Sequence, residues 1–219
     1  MAAAVIFDLD GTLVDSAGEI AAALNGALAE IGLEPLAVAV VTSFIGRGVH
    51  VLVQRALAKI GAAGVDEDDL VRRFERRYGD LLGSQARLFP GVRAGLERLH
   101  AAGIPLAVVT NKPRLFTEKL LERLGIRELF GALVAGDDGV RAKPHGDMLI
   151  AACRALGTAP GETLMVGDSD NDVRAARAAG LPVWCVPYGY NEGRAPGALA
   201  CDRMVDSLEE LEPLLAEKR

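Results

Sequence analysis

The sequence predicts an α/β fold: a Rossmann-like parallel sheet core with helices on both faces, interrupted by an inserted α-helical cap domain. Three observations predict it. From residue 88 onward, short apolar runs rich in Val, Ile and Leu alternate with segments of helical period, the pattern of parallel strands joined by crossover helices. A run of the same kind, Ala4 to Phe7, opens the chain and stops at Asp8 and Asp10. Between these parts, from Ala17 to Arg87, only helical periodicity is found. The core is therefore divided, 1–16 and 88–219, with the cap at 17–87.

Ala4–Phe7 is short and β-branched enough for a buried strand. Ile20, Ala23, Leu24, Ala27, Leu28 and Ile31 recur at helical spacing, and Gly32 ends that helix. Leu36 to Phe44 form a second helical piece, which runs to the corner Gly46-Arg47-Gly48. Val49–Ile60 and Asp68–Leu82 are two more helices. Pro90-Gly91 then opens a helix through His100, Ile104–Val109 is a strand, and Pro113 starts a helix that ends near Gly125. Leu133–Ala135, Leu164–Val166 and Val183–Val186 are strands, separated by helices at His145–Leu156 and Asn171–Ala179. Met204-Val205 is an edge strand before a last helix, Ser207–Leu215.

With 219 residues, half of them hydrophobic, the chain has ample material for a core and too much apolar content for disorder. A net charge of −6 without a basic stripe excludes the electrostatic footprint of a nucleic-acid binder. Cys153, Cys185 and Cys201 have neither disulfide-framework nor metal-ligand spacing, which suits reduced thiols in a cytoplasmic protein. Asp8 comes too early for a signal peptide, and no apolar run is long enough to span a membrane. The expected partner is a small metabolite, and the expected state a monomer or homodimer.

In open α/β sheets, function gathers at the carboxyl ends of the strands. Asp8 and Asp10, at i and i+2 in extended chain, face one spot there. Two carboxylates a few Å apart repel by roughly 4 kcal/mol at an effective dielectric of about 20. A cation belongs between them, and Mg²⁺ is the first candidate. Other strands end at Thr110-Asn111 and at Gly167-Asp168-Ser169-Asp170-Asn171-Asp172, and Lys143-Pro144 precedes a core helix. Taken singly, Thr110-Asn111 reads as a helix cap and Lys143 as a solvated lysine, while the acidic cluster suits capping and cation binding equally. Together they set carboxylates, a hydroxyl, an amide and a lysine along one sheet edge, the parts that phosphoryl transfer needs.

The order Asp8-Leu9-Asp10-Gly11-Thr12, Thr110-Asn111, Lys143-Pro144 and Gly167-Asp168 through Asp172 resembles the haloacid dehalogenase superfamily over the whole chain, helical cap included. Within it, Phe44 to Gly48, Leu88 to Gly91, Val109-Thr110-Asn111-Lys112-Pro113, Gly136-Asp137-Asp138 and Tyr188-Gly189-Tyr190 are most similar to the phosphoglycolate phosphatases. The resemblance implies a Mg²⁺-dependent phosphomonoester hydrolase, with 2-phosphoglycolate as the first substrate to consider. It implies that Asp8 attacks phosphorus and becomes an aspartyl-phosphate, and that Asp10 protonates the leaving alkoxide and then activates water. Thr110 and the Asn111 backbone would hold a phosphoryl oxygen, and Lys143 would neutralise phosphate and nucleophile. Asp168 would ligate Mg²⁺ with an Asp8 oxygen and the Asp10 carbonyl, and Asp172 would support Lys143 or a metal-bound water. No role falls to Asp170. The chain departs from its relatives at Pro144-His145-Gly146-Asp147, where a proline-rich run is common.

Other reactions run on the same frame. Dehalogenases of this type lack the second aspartate of the first motif, and Asp10 is present. The similar sugar-phosphate mutases carry a histidine in the early cap helix, where this chain has Ile20. A sugar phosphatase or pyrophosphatase is the runner-up, and a non-catalytic binding module would keep the full set of groups unused. At the corner Gly46-Arg47-Gly48, Arg47 has two readings: its planar fork meets a substrate carboxylate, or it is solvated where two glycines turn the chain.

Overall fold

The computed structural model of the protein describes residues 3–216. After β1 (Ala4–Phe7) comes a two-residue strand, β2 (Val14–Asp15), and then four helices: α1 (Ala17–Glu30), α2 (Val38–Thr42), α3 (Val49–Ile60) and α4 (Glu67–Leu81). The chain returns through β3 (Arg87–Leu88) to α5 (Val92–Ala101), β4 (Leu106–Val109), α6 (Arg114–Arg123) and β5 (Ala132–Val134). It closes with α7 (Asp147–Leu156), β6 (Thr163–Gly167), α8 (Asp170–Ala179), β7 (Val183–Cys185), β8 (Arg203–Met204) and α9 (Leu211–Ala216).

Six strands form one parallel sheet in the order β5-β4-β1-β6-β7-β8, with β1 between β4 and β6. Register aligns Val5 with Leu106 and Leu164, Ile6 with Ala107 and Met165, and Phe7 with Val108 and Val166. Strand alternation therefore sorts side chains onto two faces. Val5, Phe7, Leu106, Val108, Leu164 and Val166 join the core that contains Leu96 and Leu99 of α5 and Leu120 and Leu121 of α6. Ile6, Ala107, Val109 and Met165 face Met148, Leu149 and Ala152 of α7 and Val173, Ala175 and Ala176 of α8. Strands covered on both sides explain the unbroken apolar runs in the sequence.

The helical segment leaves and rejoins the sheet side by side. Val14 pairs antiparallel with Leu88, and Asp15 with Arg87. Leu24 and Leu28 of α1, Val53 and Leu57 of α3, and Leu70, Phe74 and Tyr78 of α4 are buried and continuous with the core on that face of the sheet. Glu30 at the end of α1 accepts hydrogen bonds from Arg73, Arg76 and Arg77 of α4 at 2.6–2.8 Å.

Most expected elements are present, and the differences have local causes. The second helical piece shrinks from Leu36–Phe44 to the five residues of α2, because Asn25 hydrogen-bonds both the N–H and the carbonyl of Leu36 at 2.8 Å and holds it out of the helix. The helix expected from His145 starts at Asp147, since the His145 N–H is spent on a turn to Ala142. The last helix opens with a 3₁₀ turn at Leu208–Glu210, capped reciprocally by Ser207 and Glu210. The β2–β3 ribbon was not expected: two residues pairing across the whole helical segment leave no periodic trace. No described helix is long and apolar enough to cross a membrane, and the three cysteines are free thiols, two of them buried.

Candidate active site

Asp8 stands one residue beyond β1, its N–H still donating to the Val166 carbonyl at 3.0 Å. That bond carries the strand direction past its end and aims the side chain over the sheet edge. Its carboxylate lies 2.8 Å from the Lys143 ammonium, which also donates to Asp172 Oδ1 at 2.6 Å and to the Val109 carbonyl at 3.0 Å. Lys143 is itself fixed through its backbone: its N–H donates to Asn111 Oδ1 at 3.0 Å, and its carbonyl accepts from Asn111 Nδ2 at 2.9 Å. Asp172 is fully committed. Its second oxygen accepts from the Ser169 N–H and hydroxyl in a capping box that starts α8.

Asp168 follows β6. Its Oδ1 accepts from the Thr12 hydroxyl at 3.0 Å, and its Oδ2 from the Tyr190 and Asn191 N–H groups at 2.7 and 3.3 Å. Two glycines clear its space. A Cβ on Gly11, where φ is +94°, would stand 2.5 Å from Asp168 Oδ2, and one on Gly189 would stand 2.5 Å from that oxygen and from the Gly11 carbonyl.

Asp8, Asp168 and Asp172 each bring an oxygen within 4.8 Å of the others, all three buried. Burial pushes Asp8 from 3.8 up to about 8, with Lys143 pulling it down and Asp172 and Asp168 pushing it further up. Burial and the Asp172 charge push Asp168 up to about 7 against the N–H groups that hold it. Lys143 is raised, because Asp172 and Asp8 outweigh the burial that opposes its charge. One lysine thus pairs with two of the three carboxylates, and the uncompensated charge falls on Asp8 and Asp168. All donors are oxygen, which suits a hard divalent cation such as Mg²⁺. The bridge between Asp10 and Val14 leaves the Asp10 carbonyl out, running through the Gly11 N–H and the Leu9 carbonyl.

Asp10 points its side chain elsewhere. Both carboxylate oxygens lie 2.8 Å from the Lys112 ammonium, and Oδ1 also accepts from the Ser16 hydroxyl at 2.6 Å. Lys112 is buried, 4.7 Å from the centre of the Tyr78 ring. Burial opposes its charge, but Asp10 and Tyr78 outweigh this and raise its pKa. Lys112 is the buried partner of Asp10 that the sequence reading missed. It stands in a quoted run, Val109 to Pro113, yet nothing local tells a buried paired lysine from a solvated one.

Asp8, Asp10, Thr110, Asn111 and Lys112 line one end of a cavity whose other walls are Ile20, Ile45, Val49, Leu52, Phe74 and Phe116. The volume open to the centres of water molecules is about 60 Å³, room for a few waters. The Thr110 hydroxyl, on this wall, accepts from the Lys112 N–H at 3.2 Å. The Asn111 side chain does more than was expected of it: besides Lys143 it reaches the Gly46 carbonyl at 2.9 Å, and Asn171 donates to the same carbonyl.

Gly46 and Gly48 line the cavity and Arg47 does not. The Arg47 guanidinium turns to Glu192, with Nε at 2.5 Å and a second nitrogen at 3.1 Å. Arg55 joins the same carboxylate at 3.3 Å. Of the two readings of Arg47, substrate contact or solvation, the structure shows neither: its planar fork is filled by a buried carboxylate of the chain itself. Tyr188 and Tyr190 brace the β2–β3 ribbon. The Tyr190 hydroxyl accepts from the Ser16 and Ala17 N–H groups and donates to Asp15, and both rings pack on Phe89.

The sequence model of the haloacid dehalogenase-like hydrolases matches residues 2–180. A phosphoglycolate phosphatase of Cupriavidus necator is 46% identical over 99% of this chain and 94% of its own length. One from Nitrosospira multiformis is 44% identical over 97% and 95%. A crystal structure from Haemophilus somnus, described as a predicted phosphoglycolate phosphatase, superposes with a TM-score of 0.91 at 35% identity, over 97% of both chains.

Proposed function

The chain belongs to the haloacid dehalogenase-like hydrolases and is a phosphatase, and we propose that it hydrolyses 2-phosphoglycolate to glycolate and phosphate through an aspartyl-phosphate on Asp8. One observation carries the chemistry: Asp8 lines a cavity with Lys143 at 2.8 Å, and the second carboxylate of that cavity, Asp10, is held apart from the first by its own lysine. The substrate rests on the names of the relatives.

In this reading an Asp8 oxygen attacks phosphorus, and the bond from phosphorus to the ester oxygen breaks. Asp10 delivers a proton to that oxygen and releases glycolate. In the second half Asp10 takes a proton from water as the water oxygen attacks the acyl phosphate, which frees phosphate and restores Asp8. Lys143 holds positive charge against the nucleophile and the phosphoryl oxygens, and Thr110 with the Asn111 backbone positions them. Asp8, Asp168 and the Asp10 carbonyl would hold Mg²⁺, which when bound neutralises the two carboxylates and the phosphate. Helices 17–87 act as a cap that excludes water, with the β2–β3 ribbon as its hinge.

Ile20 on the cavity wall favours hydrolysis over a mutase reaction, because it offers no proton-transfer group where the mutases carry histidine. The test is a panel of 2-phosphoglycolate, hexose phosphates, nucleotides and pyrophosphate, assayed with Mg²⁺ and with excess chelator. The expected result is the highest kcat/KM for 2-phosphoglycolate and loss of turnover without metal. A sugar phosphate or pyrophosphate turned over more efficiently would overturn the substrate, and full activity in chelator would overturn the metal.

A further inference from the structure

With Arg47 engaged by Glu192, the cavity needs another partner for a carboxylate. Among the residues that line it, Lys112 alone carries a positive charge. An ammonium has three donors, and Asp10 offers two oxygens to them. The third donor remains for the neighbouring Tyr78 hydroxyl or for a ligand. Beside it, Tyr78 lines the cavity, and its buried hydroxyl has no acceptor for its proton among the described residues. Its ring is fixed by stacking on Phe74 at 5.5 Å and by the edge of Phe116 at 5.1 Å. A buried hydroxyl without a partner is costly unless something supplies one.

We propose that Lys112 and Tyr78 together recognise a carboxylate on the leaving group, a role that rests on the 2-phosphoglycolate reading. Covalent geometry supports it. One methylene separates the ester oxygen of phosphoglycolate from its carboxyl carbon, so the carboxylate oxygens lie within roughly 3–4 Å of the ester oxygen. Asp10 must reach that ester oxygen to protonate it, and Lys112 sits on Asp10. The cation next to the general acid is thus next to the carboxylate. Tyr78 belongs to α4 and Lys112 to the loop after β4, so a bound carboxylate ties the helical segment to the sheet. A phosphate ester with an apolar leaving group leaves the Tyr78 hydroxyl proton without an acceptor.

The experiment compares 2-phosphoglycolate with ethyl phosphate, which replaces the carboxylate by methyl. It also compares the competitive inhibitors 3-phosphonopropionate and propylphosphonate, which require no turnover. Variants are Lys112→Met, Lys112→Arg and Tyr78→Phe. The last deletes only the hydroxyl and keeps the aromatic packing, should Lys112→Met fail to fold. The readout is the ratio of kcat/KM for the first pair and of Ki for the second, since loss of Lys112 also disturbs Asp10 and lowers turnover of every ester. The wild-type protein is expected to prefer the carboxylated member of each pair. Lys112→Met should reduce that preference about 10- to 100-fold, the loss of a charged hydrogen bond, Tyr78→Phe should reduce it about 3- to 10-fold, and Lys112→Arg should retain most of it. Preference unchanged in Lys112→Met and Tyr78→Phe would overturn the assignment and leave the substrate reading standing. A wild-type protein without any carboxylate preference would overturn the substrate reading, and the assignment with it.

Discussion

Two aspartates two residues apart receive opposite treatment. Asp8 shares Lys143 with Asp172, whereas Asp10 has Lys112 to itself. In the proposed reaction the first must be a nucleophile and the second a proton carrier. Asp8→Asn should abolish turnover without lowering the melting temperature, because it removes one charge from a crowded buried cluster. Trapped phosphate on another side chain would contradict Asp8. Asp10→Asn should slow alkyl phosphates by about 10²–10⁴-fold and nitrophenyl phosphate much less; equal losses would remove Asp10 from the proton step. The cluster also sets a pH dependence. Asp8 at about 8 and Asp168 at about 7 lie above their unfolded value of 3.8. Between about pH 4 and 8 the metal-free folded chain therefore holds protons that the unfolded chain has released, and stability falls as pH rises through that window. Mg²⁺ bound as proposed would favour the ionised pair and offset the fall. The melting temperature without metal should drop from pH 5 to pH 8, and the gain on adding Mg²⁺ should grow over the same range; a gain independent of pH would contradict this.

At the scale of elements, the site consists of strand ends and the turns that follow them. β1, β4 and β6 are neighbours in register, so Asp8, Thr110 and Asp168 emerge side by side. Turns then do what strands cannot. Gly189 lets its backbone pass against Asp168, and the two N–H groups after it hold that carboxylate. Gly189→Ala forces the loop or Asp168 to move. It should weaken Mg²⁺ binding in calorimetry at least tenfold while the sheet and its circular dichroism stay intact. Unchanged affinity would show that the loop relocates without Asp168.

At the scale of the whole molecule, polar fastenings add to the shared apolar core between the helical segment and the sheet, among them the β2–β3 ribbon, the Gly46 carbonyl held by Asn111 and Asn171, and Glu192. The last is built at a cost. Asn191 and Glu192 both have positive φ, 41° and 49°, each costing on the order of 1 kcal/mol or more outside glycine. The conformation aims the Glu192 carboxylate at Arg47 of the corner and Arg55 of α3 while the Asn191 N–H stays on Asp168. One loop thus touches the candidate metal site and the helical segment at once. Glu192→Gln should speed hydrogen exchange in residues 43–60 and leave exchange in β1 and β6 unchanged. Protection in 43–60 equal to that of the native chain would deny Glu192 a fastening role.

The sequence by itself determined the parallel sheet, because strands buried on both faces must be apolar throughout, and it determined the order of chemical groups along one sheet edge. Asp8 and Asp168 were legible because carboxylates abutting an apolar strand have few other uses, and Asp10 and Lys143 through the order in which the groups follow along the chain. Only the tertiary structure decided who partners whom. Lys112 meets Asp10 across 102 residues and Arg47 meets Glu192 across 145, and neither separation leaves a period or a local propensity to read. Arg47 as a substrate contact was a fair inference from chemistry alone, since a guanidinium fork suits any carboxylate. Which carboxylate it meets is set by distance, and distance between remote residues exists only once the core has packed.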